Sequence, residues 1–182
     1  MRPGRGASGY TRRMRFVESE TIETARLRLR AYGPGDEPAS VALMTDAEVM
    51  RHVGDGAMPP ERAARVFRKI FELYETGAWG IWAIEERASG RFAGGAEIKP
   101  RSTGDWEIVY VLARDAWGKG YATEVASALV AFGLGRMKLP RVVATVAYDN
   151  APSIRVLEKV GMRRVGEESD EIGPYAVYAT GE

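Results

Sequence analysis

Residues 24–32 alternate in character, with Leu27 and Leu29 on one side and Arg26, Arg28 and Arg30 on the other. A period of two with one apolar side predicts a half-buried strand. Gly33-Pro34-Gly35 ends it. Residues 36–44 read as a helix, with Pro38 in the first turn, where proline is tolerated. Thr45 and Glu48 have capping-box spacing and predict a second short helix ending near Arg51. Residues 61–74 carry the clearest helical period. Ala63, Val66, Phe67, Ile70, Leu73 and Tyr74 fall on one face, Arg62, Arg65, Arg68 and Lys69 on the other, and Gly77 stops the helix.

The period then returns to two. Residues 79–85, 91–98 and 105–112 read as strands joined by short turn clusters, which predicts an antiparallel meander. A helix over 121–134 follows, then a strand over 141–148. That strand is apolar on both faces and is therefore central. Residues 152–160 form a helix closed by Gly161, and 162–168 with 175–180 form a last hairpin. The order is β-α-α-β-β-β-α-β-α-β-β. It predicts a mixed α/β (α+β) fold, with a central, mostly antiparallel sheet and helices on both faces.

Composition narrows the chemistry. With no cysteine and one histidine, His52, among 182 residues, disulfides, thiol nucleophiles, Cys-type metal centres and multi-His metal sites are excluded. Residues 1–15 hold five arginines and no acid, and the remainder carries a net charge of −4. The expected organisation is a flexible basic leader over 1–20, with Met14 a second candidate start, and a single domain over 21–182. An acidic body argues against general nucleic-acid binding. No apolar run reaches the ~18 residues of a membrane span. A cytoplasmic protein fits, with no membrane and no specific nucleic-acid partner, as monomer or homodimer.

The most informative segment runs from Trp106 to Glu124, where a strand enters the turn Trp117-Gly118-Lys119-Gly120-Tyr121-Ala122 and the turn opens a helix. A helix start offers free amides and a positive dipole end, and glycines let backbone approach a ligand. Together they specify a phosphate cradle. A Walker loop is excluded because Gly120 follows Lys119, and a dinucleotide fingerprint because Thr123 stands where its third glycine would.

This segment resembles the acyl-CoA signature of the GNAT superfamily of N-acyltransferases, in the form used by the Rim-type ribosomal-protein N-terminal acetyltransferases. The likeness spans residues 23–180. It includes the opening TARLRLR, the segment Asp46-Ala-Glu-Val-Met-Arg-His, and Asn150-Ala-Pro-Ser-Ile-Arg-Val-Leu-Glu-Lys-Val-Gly-Met. Trp117 departs from the signature's usual Arg or Gln. The resemblance implies acetyl-CoA as cosubstrate and no metal. It implies that Val111 and Ala113 offer backbone groups to the pantetheine arm, and that Gly118, Lys119, Gly120, Tyr121 and Ala122 hold the pyrophosphate. Lys119 either adds charge there or stays a solvated surface lysine. Asn150 is an expected helix N-cap, and the resemblance adds a contact to the pantetheine arm.

Glu107 is the first candidate for the base. It shares a strand face with Val109 and Val111, opposite Trp106, Ile108, Tyr110 and Leu112. A carboxylate on so apolar a strand is expected to be partly desolvated, the setting of a general base; the alternative is a strand-end glutamate in solvent beside the turn at Gly104-Asp105. Glu97 is the second candidate. The resemblance places Ser153 near the departing sulfur as proton donor, while Leu157 stands where many relatives carry a donor tyrosine; water or Tyr148 is the alternative donor. The oxyanion is expected at an amide near Val111. His52 falls in a loop that resembles a substrate-side segment of the family and is otherwise a structural or exposed histidine, and the acidic stretch Glu167, Glu168, Asp170, Glu171 is either a solvated loop or, as the resemblance implies, an acceptor border that draws in a cationic amine.

The reading is an acetyl-CoA-dependent N-acetyltransferase in which a primary amine, first of all a protein or peptide N-terminus, attacks the thioester directly in a ternary complex. A small-molecule amine acceptor and a non-catalytic acyl-CoA-binding regulatory domain are the rivals.

Overall fold

The computed structural model describes residues 20–77 and 80–181. The arginine-rich start and Trp79 lie outside them. The described residues form one sheet in the order β1-β2-β3-β4-β5-β6-β8-β7. Its strands are β1 (Ile22–Glu23), β2 (Leu27–Arg30), β3 (Gly80–Glu86), β4 (Phe92–Pro100), β5 (Trp106–Leu112), β6 (Val143–Ala147), β7 (Arg163–Ser169) and β8 (Pro174–Ala179). Its helices are α1 (Glu37–Thr45), α2 (Pro60–Thr76), α3 (Tyr121–Ala131) and α4 (Ala151–Lys159). Every neighbouring pair is antiparallel except β5 and β6. The predicted element order is borne out, with β1 added at the edge.

Alternation along the strands builds two cores. Leu27, Leu29, Trp82, Ile84, Ile98 and Ile108 pack with Val125 and Leu129 of α3 and Leu157 of α4. On the other face Tyr32, Ile81 and Ala83 meet Phe67 of α2. The helices thus cover both faces, as layer packing requires. The strand over 141–148 is central as expected, lying between β5 and β8 with Val143, Ala144 and Val146 buried.

Local departures have local causes. Thr45 ends α1 and donates its hydroxyl to the Ala42 carbonyl; Asp46 instead accepts the Glu48 and Val49 amides, so the capping box expected at Thr45 does not form and an aspartate turn leads into the 3-10 turn Val49–His52. Val66 sits at the rim of the α2 apolar face and is 38% exposed. The helix expected to reach Leu134 leaves α geometry after Ala131, and the Met137 amide reaches back five residues to the Phe132 carbonyl. Gly133 and Gly135, poor helix formers, lie in that wider turn.

Candidate active site

The one parallel junction of the sheet makes the site. β5 and β6 are in register at a single pair, Glu107 opposite Val143. Beyond it the strands carry no further bridge, and a cleft of about 790 Å3 opens there. Tyr110 of β5 lines it with Asn150, Ser153 and Leu157 at the start of α4. Glu107, Lys99, Arg101 and His52 line it as well.

Glu107 is buried, and the Thr145 hydroxyl donates to its Oε1 at 2.5 Å. The Arg101 guanidinium stands 3.9 Å from its other oxygen. Lys99 is its register partner on β4, so the two share a face. Glu97 lies one step further along that face, with Lys99 at 3.9 Å. Burial against the sheet pushes the Glu97 carboxyl up; Lys99 opposes this and Glu107 adds to it, while the side chain keeps a 37% exposed edge.

The acidic stretch is largely committed elsewhere. Arg101 donates twice to Glu168, at 2.6 and 3.2 Å, and Tyr175 donates to the same carboxylate. Glu167 accepts from Arg164 and from the Tyr148 hydroxyl. Asp170 accepts the Ile172 and Gly173 amides and lines the cleft. The expected pull on a cationic amine therefore reduces to Asp170, Asp149 and Glu107 against Arg51, Lys99 and Arg101 on the cleft wall. His52 sits on that wall with Nδ1 3.4 Å from Asp149.

At the far end of β5 the chain turns through Gly118 and Gly120, at φ of 72° and 78°, into α3. Only glycine takes that geometry without strain. The first bond inside α3 runs from the Glu124 amide to the Gly120 carbonyl at 3.2 Å. The amides of Tyr121, Ala122 and Thr123 precede it and have no acceptor within the helix. The Trp117 indole donates to the Leu112 carbonyl at 2.8 Å. Lys119 lies 3.2 Å from Glu86, whose carboxyl is lowered to about 2 by Arg91 first and Lys119 next. Lys119 is thus an ion-paired residue at the turn's edge, rather than a freely solvated one.

Arg26 leaves the outward row that period two assigned to it. Its side chain turns to α3, where Nε donates to Glu124 Oε2 at 2.8 Å, and its NH1 donates to the Lys119 carbonyl at 2.7 Å. Thr24 donates its hydroxyl to Glu124 Oε1 at 2.6 Å. Burial opposes ionisation of Glu124, but the bonds from Thr24 and Arg26 outweigh it and hold the carboxyl below its ordinary value.

The backbone of β5 corrects one expectation. The Ala113 amide donates to the Ala93 carbonyl of β4. The Val111 carbonyl faces β4 too, where a Cβ on Gly94 would come within 2.1 Å of it. Paired residues of an antiparallel ladder alternate between bonded and unbonded, so Val111 and Ala113 spend their backbone groups inside the sheet. Tyr110 and Leu112 aim theirs away from β4, the Tyr110 groups toward the cleft and the Leu112 carbonyl to the Trp117 indole. An oxyanion donor at the Val111 amide is excluded by the same alternation.

Asn150 caps α4 as expected, its Oδ1 accepting the Ser153 amide at 3.3 Å. Leu157 is buried at the cleft floor. Tyr148 is not a free donor, since its hydroxyl serves Glu167 and accepts from Arg164. Sequence reasoning passed over Thr145, Arg101, Glu124 and the Tyr110 hydroxyl. The TARLRLR and Ala-Thr-Glu segments were visible, but nothing local joins them.

Residues 26–163 match the family described as the Acetyltransferase (GNAT) domain. The chain is 32% identical over 148 residues to the uncharacterised N-acetyltransferase YoaA of Bacillus subtilis, covering 80% of this chain and 84% of that one. Its fold superposes on RimJ of Mycobacterium smegmatis in complex with CoA-disulfide at TM-score 0.76 and 21% identity, covering 88% and 86% of the two chains. It superposes on a spermidine N-acetyltransferase of Vibrio cholerae, in complex with CoA and spermine, at TM-score 0.72 and 16% identity, covering 85% and 94%. The chain belongs to the GNAT acetyltransferase family and is an acyltransferase; that family uses acetyl-CoA. Among the described residues no helix is long and apolar enough to cross a membrane.

Proposed function

We propose that this enzyme moves the acetyl group of acetyl-CoA to a primary amine, with a protein or peptide N-terminus as the acceptor. The observation that carries it is the wedge between β5 and β6, which opens beside Glu107, Asn150 and Ser153. The residues present fit the donor. The glycine turn and the free amides of Tyr121 and Ala122 suit a pyrophosphate, with Trp117 and Lys119 at its edge. The backbone of Tyr110, turned from β4 toward the cleft, suits the pantetheine arm, with Asn150 alongside.

When bound, acetyl-CoA supplies the activated acyl group. Glu107 takes a proton from the acceptor ammonium, which frees the nitrogen lone pair for direct attack. Thr145 orients that carboxylate and Arg101 stands beside it. The Ser153 hydroxyl, in the first turn of α4, assists departure of the sulfur. A peptide amine is preferred on the Rim-type motifs. We place the protein in the cytoplasm, as one domain over 21–182, acting as monomer or homodimer.

Thiol release from acetyl-CoA, measured across peptides, polyamines and small amines, tests this. Release with peptides of free N-terminus, and none once that terminus is blocked, is the expected result. Preference for a polyamine overturns the acceptor. CoA binding without release for any amine makes the chain a binding module.

A further inference from the structure

Among the described residues one buried side-chain polar atom has no hydrogen-bond partner, and it is the Tyr110 hydroxyl. Strand alternation turns Tyr110 to the α3 and α4 face, and its ring packs against the core there. The residue lines the cleft with Ser153, Asn150 and Leu157. Ser153 is the polar side chain beside the hydroxyl, yet no bond of normal geometry joins the two. A phenylalanine would fill the same space with no polar atom to satisfy. Buried polar groups left unpaired in a folded chain call for an explanation, and a ligand atom is one.

We propose that Tyr110 is a catalytic residue whose hydroxyl donates a hydrogen bond to the departing CoA sulfur, beside Ser153. The proposal rests on the functional reading above. In the step, the bond from amine nitrogen to acyl carbon forms and the carbon–sulfur bond breaks. Glu107 has by then passed the ammonium proton to solvent, so it takes the second proton from nitrogen as the amide forms; the sulfur keeps the electron pair, and the thiolate later takes a proton from solvent. Tyr110 acts as a donor that keeps its proton. Its phenol is an intrinsically weaker acid than a thiol of pKa ~8.5. Burial pushes the phenol up further, with Ser153 only partly opposing, so full transfer to sulfur runs uphill. A hydrogen bond to developing negative charge in a water-poor cleft needs no transfer and is stronger there than in water.

Tyr110→Phe tests this, because the hydroxyl it removes makes no hydrogen bond of normal geometry in the fold. Thermal stability and acetyl-CoA affinity by calorimetry are expected to match wild type, while kcat falls about tenfold or more. With an acetyl thioester of a more acidic thiol the loss should shrink, since that leaving group needs less stabilisation. Wild-type kcat in Tyr110→Phe overturns the proposal. So does an equal loss with both donors, or a loss confined to acetyl-CoA affinity, which would make Tyr110 a binding residue. Absence of thiol release in the wild-type enzyme overturns the functional reading itself, a separate outcome read before any variant is made.

Discussion

Glu124 receives Arg26 twice, taking its backbone amide on one carboxylate oxygen at 2.8 Å and its guanidinium on the other. The same guanidinium donates to the carbonyl of Lys119, so the approach to β2 holds the glycine turn that opens α3. The Arg26 guanidinium also lies over the Tyr121 ring, 4.8 Å from its centroid. A turn built on two left-handed glycines has little side-chain packing of its own. Arg26 supplies the missing restraint.

Arg26→Ala is therefore expected to weaken acetyl-CoA binding about tenfold, the scale of one hydrogen bond to a charged group. Acetyl-pantetheine, which lacks the phosphates, should bind the variant as well as it binds wild type. Calorimetry with both donors decides it. Equal weakening of both would show that Arg26 supports the sheet edge and not the turn.

Glu107→Gln keeps the Thr145 contact and the shape of the carboxylate but removes the base. Turnover is expected to fall ~10²–10⁴-fold with acetyl-CoA affinity little changed. Steady-state rates and donor titrations on the same preparation check this. Unaltered turnover across the pH profile would remove Glu107 from the mechanism.

Glu97 gives a pH-dependent stability of defined sign. Burial first, and Glu107 as well, raise its carboxyl above the unfolded value of ~4.3, with Lys99 opposing. Ionising Glu97 thus costs the folded state, and stability is lost as pH rises from about 4 through the raised value. Glu97→Gln should gain on wild type over that window and hold its advantage above it. Melting temperatures at a series of pH values measure the difference, and a constant offset would contradict the assignment.

Asn150 should behave as an ordinary helix cap in the free enzyme. Asn150→Ala is expected to cost ~1 kcal/mol in denaturant unfolding, and Asn150→Asp to recover most of it through its side-chain oxygen. If Asn150→Asp unfolds like Asn150→Ala, the bond to the Ser153 amide is not what stabilises α4.

What could be read along the chain was whatever depends on neighbours within one turn or one strand step. The α2 stripe through Ala63 and Phe67, the cap at Asn150, the glycine turn at 118–120 and the alternation that pairs Glu107 with Val109 all follow from periods of 3.6 or 2 and from backbone preferences of single residues. Even here Thr45 and Asp46 compete for one turn, and geometry alone chooses between them.

Other features exist only once distant segments meet. Which way Val111 and Ala113 aim their backbone depends on the register with β4, and a sequence period of two reports side-chain faces, never which neighbour a carbonyl meets. Arg26 lies 98 residues from Glu124, and Arg101 lies 67 from Glu168. Charges so spaced can pair with any of many partners until the sheet order is set. The Tyr110 hydroxyl reads as one more apolar-strand position between Val109 and Val111. Its isolation goes with the parting of β5 and β6 after Glu107, which leaves a buried polar atom on a residue lining a cleft that no local pattern encodes.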